Sequence, residues 1–103
     1  MPSFKQHCKD CEIILGNRYE EVNLWIDDLQ KIYGYEHRKF RHTLEGIEQI
    51  GKMFGSSGVL AAEVHILRDM CGIPKDTNDY EHGCFLDWKY YGEKKFNYPP
   101  AED

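Results

Sequence analysis

The sequence predicts a mainly α fold: a compact bundle of about four helices with an aromatic-rich irregular C-terminal segment packed on it. Three observations carry this expectation. Apolar residues recur at helical spacing from Phe4 to Met70, glycine or proline stands where each such run ends, and 14% of the 103 residues are aromatic, many of them beyond Pro74. A chain of this length holds one ordinary domain. Its 41% hydrophobic content is too high for a disordered segment.

The first helix is expected from about Phe4 to Leu15, because Gly16-Asn17 suits a left-handed stop. The second carries Val22, Trp25, Ile26, Leu29, Ile32 and Tyr33 on one stripe and ends at Gly34; Glu20 and Glu21 suit the positive end of its dipole. The third is expected from Glu36 to Phe54, with Phe40, Leu44, Ile47, Ile50 and Phe54 on its inner face. Gly55-Ser56-Ser57-Gly58 reads as a break with a serine cap, and Val59 to Cys71 as the fourth helix, stopped by Gly72-Ile73-Pro74. Asp76, Thr77, Asn78 and Asp79 are turn formers. Tyr80, Phe85, Trp88, Tyr90, Tyr91, Phe96 and Tyr98 follow without a clean period and are expected to lie across the helices. Residues 1–98 then form the single domain, and residues 99–103 a frayed tail.

Charge narrows the function classes. Lys plus Arg give 13 and Asp plus Glu 18, a net charge of -5, the wrong sign for neutralising phosphates over a broad face. No apolar run approaches the roughly 20 residues of a membrane span, and Met1-Pro2-Ser3-Phe4-Lys5-Gln6-His7 lacks a signal-peptide core. A cytoplasmic location is expected, with reduced thiols. Cys8-Lys9-Asp10-Cys11 has C-x-x-C spacing, and His82 with Cys84 would complete four metal ligands. The competing reading favours burial, since Phe4, Cys8, Cys11 and Leu15 recur at helical spacing and the thiols then serve as small core residues.

Two polar clusters interrupt the helical pattern. Glu36-His37-Arg38-Lys39-Phe40-Arg41-His42 opens the predicted third helix, where a regular helix turns His42 about 140° from His37, so that the two face different partners. In Ala61-Ala62-Glu63-Val64-His65-Ile66-Leu67-Arg68-Asp69, His65 and Asp69 share a face one turn apart, as paired metal ligands or a carboxylate-oriented histidine do. Ala61 and Ala62 would let a neighbouring helix approach. Glu63 falls on the apolar arc and needs a partner such as Arg38, Arg41 or a histidine. Adding His7 places histidines on three predicted helices. The expected metal set is therefore His37, His42, His65 and Asp69, with His7 and Glu63 behind them, and its imidazole and carboxylate chemistry suits Zn, Fe, Ni or Mn. A hydrogen-bonded polar network is the alternative. A bound metal would polarise a substrate or acidify a water, with Glu63 or Asp69 as base.

P-loop, dinucleotide-fold, zincin and nucleophile-elbow motifs are missing from the sequence. Glu45-Gly46-Ile47-Glu48 followed by Glu63 resembles the opening of the carboxylate pattern of helical nucleotide pyrophosphohydrolases, but Ile66 stands where an acid is required. Trp25-Ile26-Asp27-Asp28, His37-Arg38 to His42, Glu45-Gly46-Ile47, Phe54-Gly55, and Glu63 with His65, Asp69 and Ile73-Pro74 to Asp79-Tyr80 resemble a family of small uncharacterised bacterial and phage helical domains. That family has an H-R-x-x-x-H-like segment and an H-x-x-x-D-x-x-G-I-P-like segment. The resemblance covers about three quarters of the chain. It implies a compact helical domain with histidines and acids gathered on helices three and four, and it brings no established activity. Two function classes are expected from these readings: a small binding domain with a His/carboxylate site for a divalent metal, or a phage or mobile-element interaction protein that inhibits a host system. The second would use an acidic, aromatic surface with Trp88, Tyr90 and Tyr91 as anchors for a protein partner.

Overall fold

Ser3 opens the first helix by accepting a hydrogen bond from the Gln6 backbone N–H, and Gly16, in the left-handed region at φ 85°, closes it. This is α1 (Phe4–Leu15), in a computed structural model that describes residues 3–85 and 96–101. Next come α2 (Glu20–Asp27), α3 (Gln30–Tyr33), a 3-10 turn (Gly34–His37), α4 (Arg38–Arg41), α5 (Leu44–Met70) and α6 (Thr77–Glu81). α5 packs on both α1 and α2, and α1 packs on α2. With the two halves of α5 these make the expected bundle of about four main helical segments. Among the described residues no strand forms, only an isolated antiparallel bridge between Pro74 and Phe85.

The core joins Cys11, Val22, Ile26, Ile47, Ile50, Ala61, Ala62, Val64, Ile66, Leu67, Ile73 and Phe96. Ala61 and Ala62 are fully buried, and the Cys11 thiol approaches the Ala61 carbonyl oxygen at 3.9 Å, so the small residues do admit α1. Phe96 and Tyr98 lie on this core, as expected of the C-terminal rings, and the Tyr98 hydroxyl donates to the Val64 carbonyl at 2.7 Å. Trp88, Tyr90 and Tyr91 fall outside the described residues. Arg68 bridges α5 to α1 by donating to both carboxylate oxygens of buried Asp10, at 2.6 and 2.7 Å, and it also donates to the Pro99 carbonyl.

Three boundaries differ from the sequence expectation, each for a local reason, and the break after Phe54 stands as expected. The second helix is not continuous to Tyr33, because the chain turns at Asp28 and Leu29 before α3. The third does not run from Glu36 to Phe54. It breaks at His42 because Thr43, in extended conformation, caps α5 by accepting from the Gly46 N–H at 3.1 Å. Gly55-Ser56-Ser57-Gly58 does hold the expected break: Gly55 leaves the helical region (φ 79°, ψ -174°), and α5 is two helices joined across that kink. Asp76 to Asp79 form more than a turn, since the Asp76 side chain accepts from the Asp79 N–H and opens α6.

The segment before α5 is stapled from several directions. The Arg41 guanidinium donates to the Trp25 carbonyl at 2.7 Å and stacks over the Trp25 ring, and Thr77 donates to the Lys39 carbonyl. At Gly46 a Cβ would overlap the Arg41 carbonyl oxygen and lie 2.9 Å from the Arg41 Cα, so α4 and α5 meet through a gap only glycine leaves. Gly46→Ala is expected to destabilise the protein by about 1–3 kcal/mol in urea unfolding, as overpacking against rigid backbone does. A variant with wild-type stability would contradict this close approach.

Candidate metal centre

Five elements deliver polar side chains to one buried place. Asp27 is the last residue of α2, and Asn23 lies one turn before it on the same face. His37 ends the 3-10 turn, and His42 lies just beyond α4. His65 and Asp69 come from the second half of α5, one turn apart. His7 comes from α1, with its ring stacked on that of His65 at a centroid distance of 3.5 Å.

Asp27, His42, His65 and Asp69 each offer one ligand atom, and these atoms lie within 4.8 Å of one another. Among the described residues this is the group of histidines, cysteines and acids that gathers so closely, and it could hold a metal ion. His42 Nε2 is 3.4 Å from Asp27 Oδ1 and 2.9 Å from Asp69 Oδ2. His65 Nε2 is 3.2 Å from Asp27 Oδ1 and 3.4 Å from Asp69 Oδ2. His37 Nε2 also approaches Asp27 Oδ1, at 3.2 Å. Asp69 turns its other oxygen, Oδ1, toward His7 Nε2 at 3.0 Å and Arg38 Nη2 at 3.8 Å.

The hydrogen bonds behind the centre fix where the imidazole lone pairs point. Asn23 Nδ2 donates to the Arg18 and Tyr19 carbonyls at 3.0 and 3.1 Å, which leaves its Oδ1 facing His65 Nδ1 at 2.8 Å. His65 Nδ1 must therefore be a donor, and in the neutral ring Nε2 is a bare lone pair. His37 is set the same way, because its Nδ1 donates to the Gly34 carbonyl at 2.5 Å. Two neutral imidazoles would thus aim lone pairs at a carboxylate oxygen, which is repulsive unless a proton or a metal ion lies between. Backing the far ring nitrogen with an acceptor is also how metal-bound histidines are oriented. His42 lacks this backing: its Nδ1 is buried without a hydrogen-bond partner among the described residues.

Protons can fill the role only in part. Burial opposes a charge on His65, yet the carboxylates of Asp27 and Asp69 prevail and push it up to about 9. Burial, aided by the His65 charge, holds His42 down to about 4 despite Asp69. His7 is also lowered, by burial and by His65. Burial would raise Asp27, but hydrogen bonding to His65 and its charge bring it to about 2; Asp69 is likewise held well below the usual carboxylate range by His42, His65 and His7. Without metal, His65 therefore carries a proton that both carboxylates share.

Several sequence-predicted residues meet here and others do not. His65 and Asp69 converge as their spacing implies. His37 and His42 were expected to face different partners; instead, from either end of the short helix α4, both rings reach Asp27 Oδ1, with centroids 5.0 Å apart. His7 lies against the centre, and its Nε2 approach to Asp69 is not aligned as a hydrogen bond. Glu63 is half-buried and outside the closely gathered group. Cys8 and Cys11 are fully buried beside Asn23, at 3.8 and 3.6 Å from its Nδ2, whereas His82 and Cys84 are exposed, and these four do not assemble as a metal clip. All four cysteines are free thiols.

Sequence reasoning did not nominate Asp27 as a ligand, because an acidic pair near a helix end reads as solvated. The available signal was Asn23 and Asp27 one turn apart beside the Val22 and Ile26 stripe. Asp27 is also where the centre meets solvent. It is 21% exposed in its side chain, against 3% or less for His42, His65 and Asp69, and it lines a surface cleft of about 400 Å³ with Phe4, Leu24, Asp28, Gln30 and Lys31. No helix among the described residues is long and apolar enough to cross a membrane.

The fold and the centre together define a class, a mainly α domain with a buried histidine and aspartate cluster. Comparison with protein-family models, curated proteins and solved structures gives no match to this chain.

Proposed function

We propose that this protein is a small metal-binding domain in which Asp27, His42, His65 and Asp69 hold one divalent transition ion, with His37 placed to add a third imidazole. The supporting observation is a set of ligand-to-ligand distances. The four nitrogen-to-oxygen edges of the group measure 2.9, 3.2, 3.4 and 3.4 Å. A tetrahedron with bonds of about 2.0–2.1 Å has edges near 3.3 Å. The 2.9 and 3.2 Å edges are also hydrogen bonds, so what supports an ion is that two imidazoles and two carboxylates gather with all four ligand atoms within 4.8 Å of one another. Two imidazoles and two carboxylates suit Zn, Fe, Ni or Mn, and the ion would supply Lewis acidity beside the cleft at Asp27.

The test is elemental analysis of protein purified without a metal-affinity tag. About one equivalent of a transition metal is expected, lost in His65→Ala and retained in His82→Ala, whose ring is exposed and bonded to the Asn78 carbonyl. Wild-type protein holding no more metal than His65→Ala, after exposure to each of the four ions, would overturn the proposal.

A further inference from the structure

We propose that the centre takes a small oxyanion, a phosphate or carboxylate group, bound beside Asp69 by the ion and the guanidinium of Arg38. This deepens the metal reading and rests on it.

Arg38 is an arginine whose hydrogen-bonding capacity is not filled by what surrounds it. Its side chain is only 17% exposed, and its closest carboxylate approach is 3.8 Å, from Nη2 to Asp69 Oδ1. Its Nε is buried without a hydrogen-bond partner among the described residues, and so is Asp69 Oδ1. Two other arginines each hold well-formed hydrogen bonds: Arg41 donates to the Trp25 carbonyl, and Arg68 grips Asp10 through two hydrogen bonds. Leaving a guanidinium N–H dry and unpaired costs free energy unless something else accepts from it.

Position and charge both favour an anion. Asp69 faces His42 and His65 with Oδ2 and Arg38 with Oδ1, so a single carboxylate separates the ion position from the guanidinium. With His42 and His65 as neutral ligands, a divalent ion offsets the two aspartates, and the charge of Arg38 remains in excess inside a buried site. An oxyanion restores neutrality and offers oxygen to both cations, the geometry arginine's planar fork favours. Solvent reaches the surroundings of the ion at Arg38 and at Asp27, the two partly exposed charged groups there. The neighbouring acid Asp28 is already paired with Lys31 at 2.9 Å, which softens repulsion of an incoming anion.

The test is calorimetric titration of metal-loaded, untagged protein with inorganic phosphate and, separately, with acetate, on wild type, Arg38→Gln and Arg38→Lys, with metal content measured on the same samples. One anion per protein is expected. On samples brought to full metal loading, its affinity should fall about tenfold or more in Arg38→Gln, and by less in Arg38→Lys, which keeps the charge but not the fork. Tighter phosphate would mark a tetrahedral ligand, tighter acetate a planar one. Fully metal-loaded wild type that binds neither anion, or equal affinity in wild type and Arg38→Gln, overturns the inference and leaves the metal reading standing. Wild type without metal overturns both. If Arg38→Gln fails to fold by circular dichroism, Arg38→Lys carries the comparison, and unchanged affinity there counts against the bridging role.

Discussion

Asp69→Ala is expected to abolish stoichiometric metal uptake and to destabilise even the metal-free protein by about 3–5 kcal/mol, the range for removing one side of a buried charged network. The side chain is 3% exposed, and its two oxygens face His7, His42, His65 and Arg38. Alanine leaves a guanidinium and the His65 imidazolium facing each other across a dry space with only Asp27 as counter-charge. The loss would take a large share of the roughly 5–15 kcal/mol that holds a typical domain together. Asp69→Asn keeps the volume and one acceptor oxygen, so it should cost less than alanine while still removing metal. Urea unfolding and elemental analysis on both variants provide the check. A stable, metal-retaining Asp69→Ala would show that the carboxylate is peripheral to the centre.

Much of the scaffold was legible because helical burial leaves a period in the sequence. Phe4 to Leu15 ends at Gly16 as the pattern requires, and His65 with Asp69 could be paired from spacing alone because they lie on one uninterrupted stretch of α5. What failed was the assumption of regularity between such stretches. His37 and His42 were placed inside one long helix, whereas a 3-10 turn ends at His37, a single α turn follows, and His42 lies where the chain breaks before the Thr43 cap. The Thr43 cap was readable in principle, as a threonine followed three positions later by a glycine whose N–H needs an acceptor. Asp27 was obscured for a different reason. Its role depends on residues far along the chain, His65 by 38 positions, and no local pattern encodes that meeting. Asn23 was missed likewise, although it decides which His65 nitrogen faces the centre.

The same proton bookkeeping predicts an unusual pH profile for the metal-free protein, with greatest stability near pH 6.5. His65 has its folded pKa raised to about 9 from 6.5. Its contribution is therefore complete below 6.5 and is lost as pH rises through 9, on the order of 3 kcal/mol by linkage. His42, lowered to about 4, acts on the other side: the unfolded chain takes up a proton below 6.5 that the folded one refuses, so stability declines toward pH 4, and lowered His7 adds in the same direction. Asp27, held at about 2, adds a further loss below 3.8. Cys11 does not blur the alkaline limb, because burial raises its thiol from 9.0 to about 11 and its effect begins only above 9. A metal ion takes the His65 lone pair that the proton otherwise occupies, so saturating zinc should remove the decline between pH 6.5 and 9 and steepen the loss at lower pH, where proton and ion compete. Urea midpoints from pH 4 to 9, with and without zinc, measure both limbs. A metal-free profile that stays flat or climbs from pH 7 to 9 would mean that His65 does not hold the shared proton.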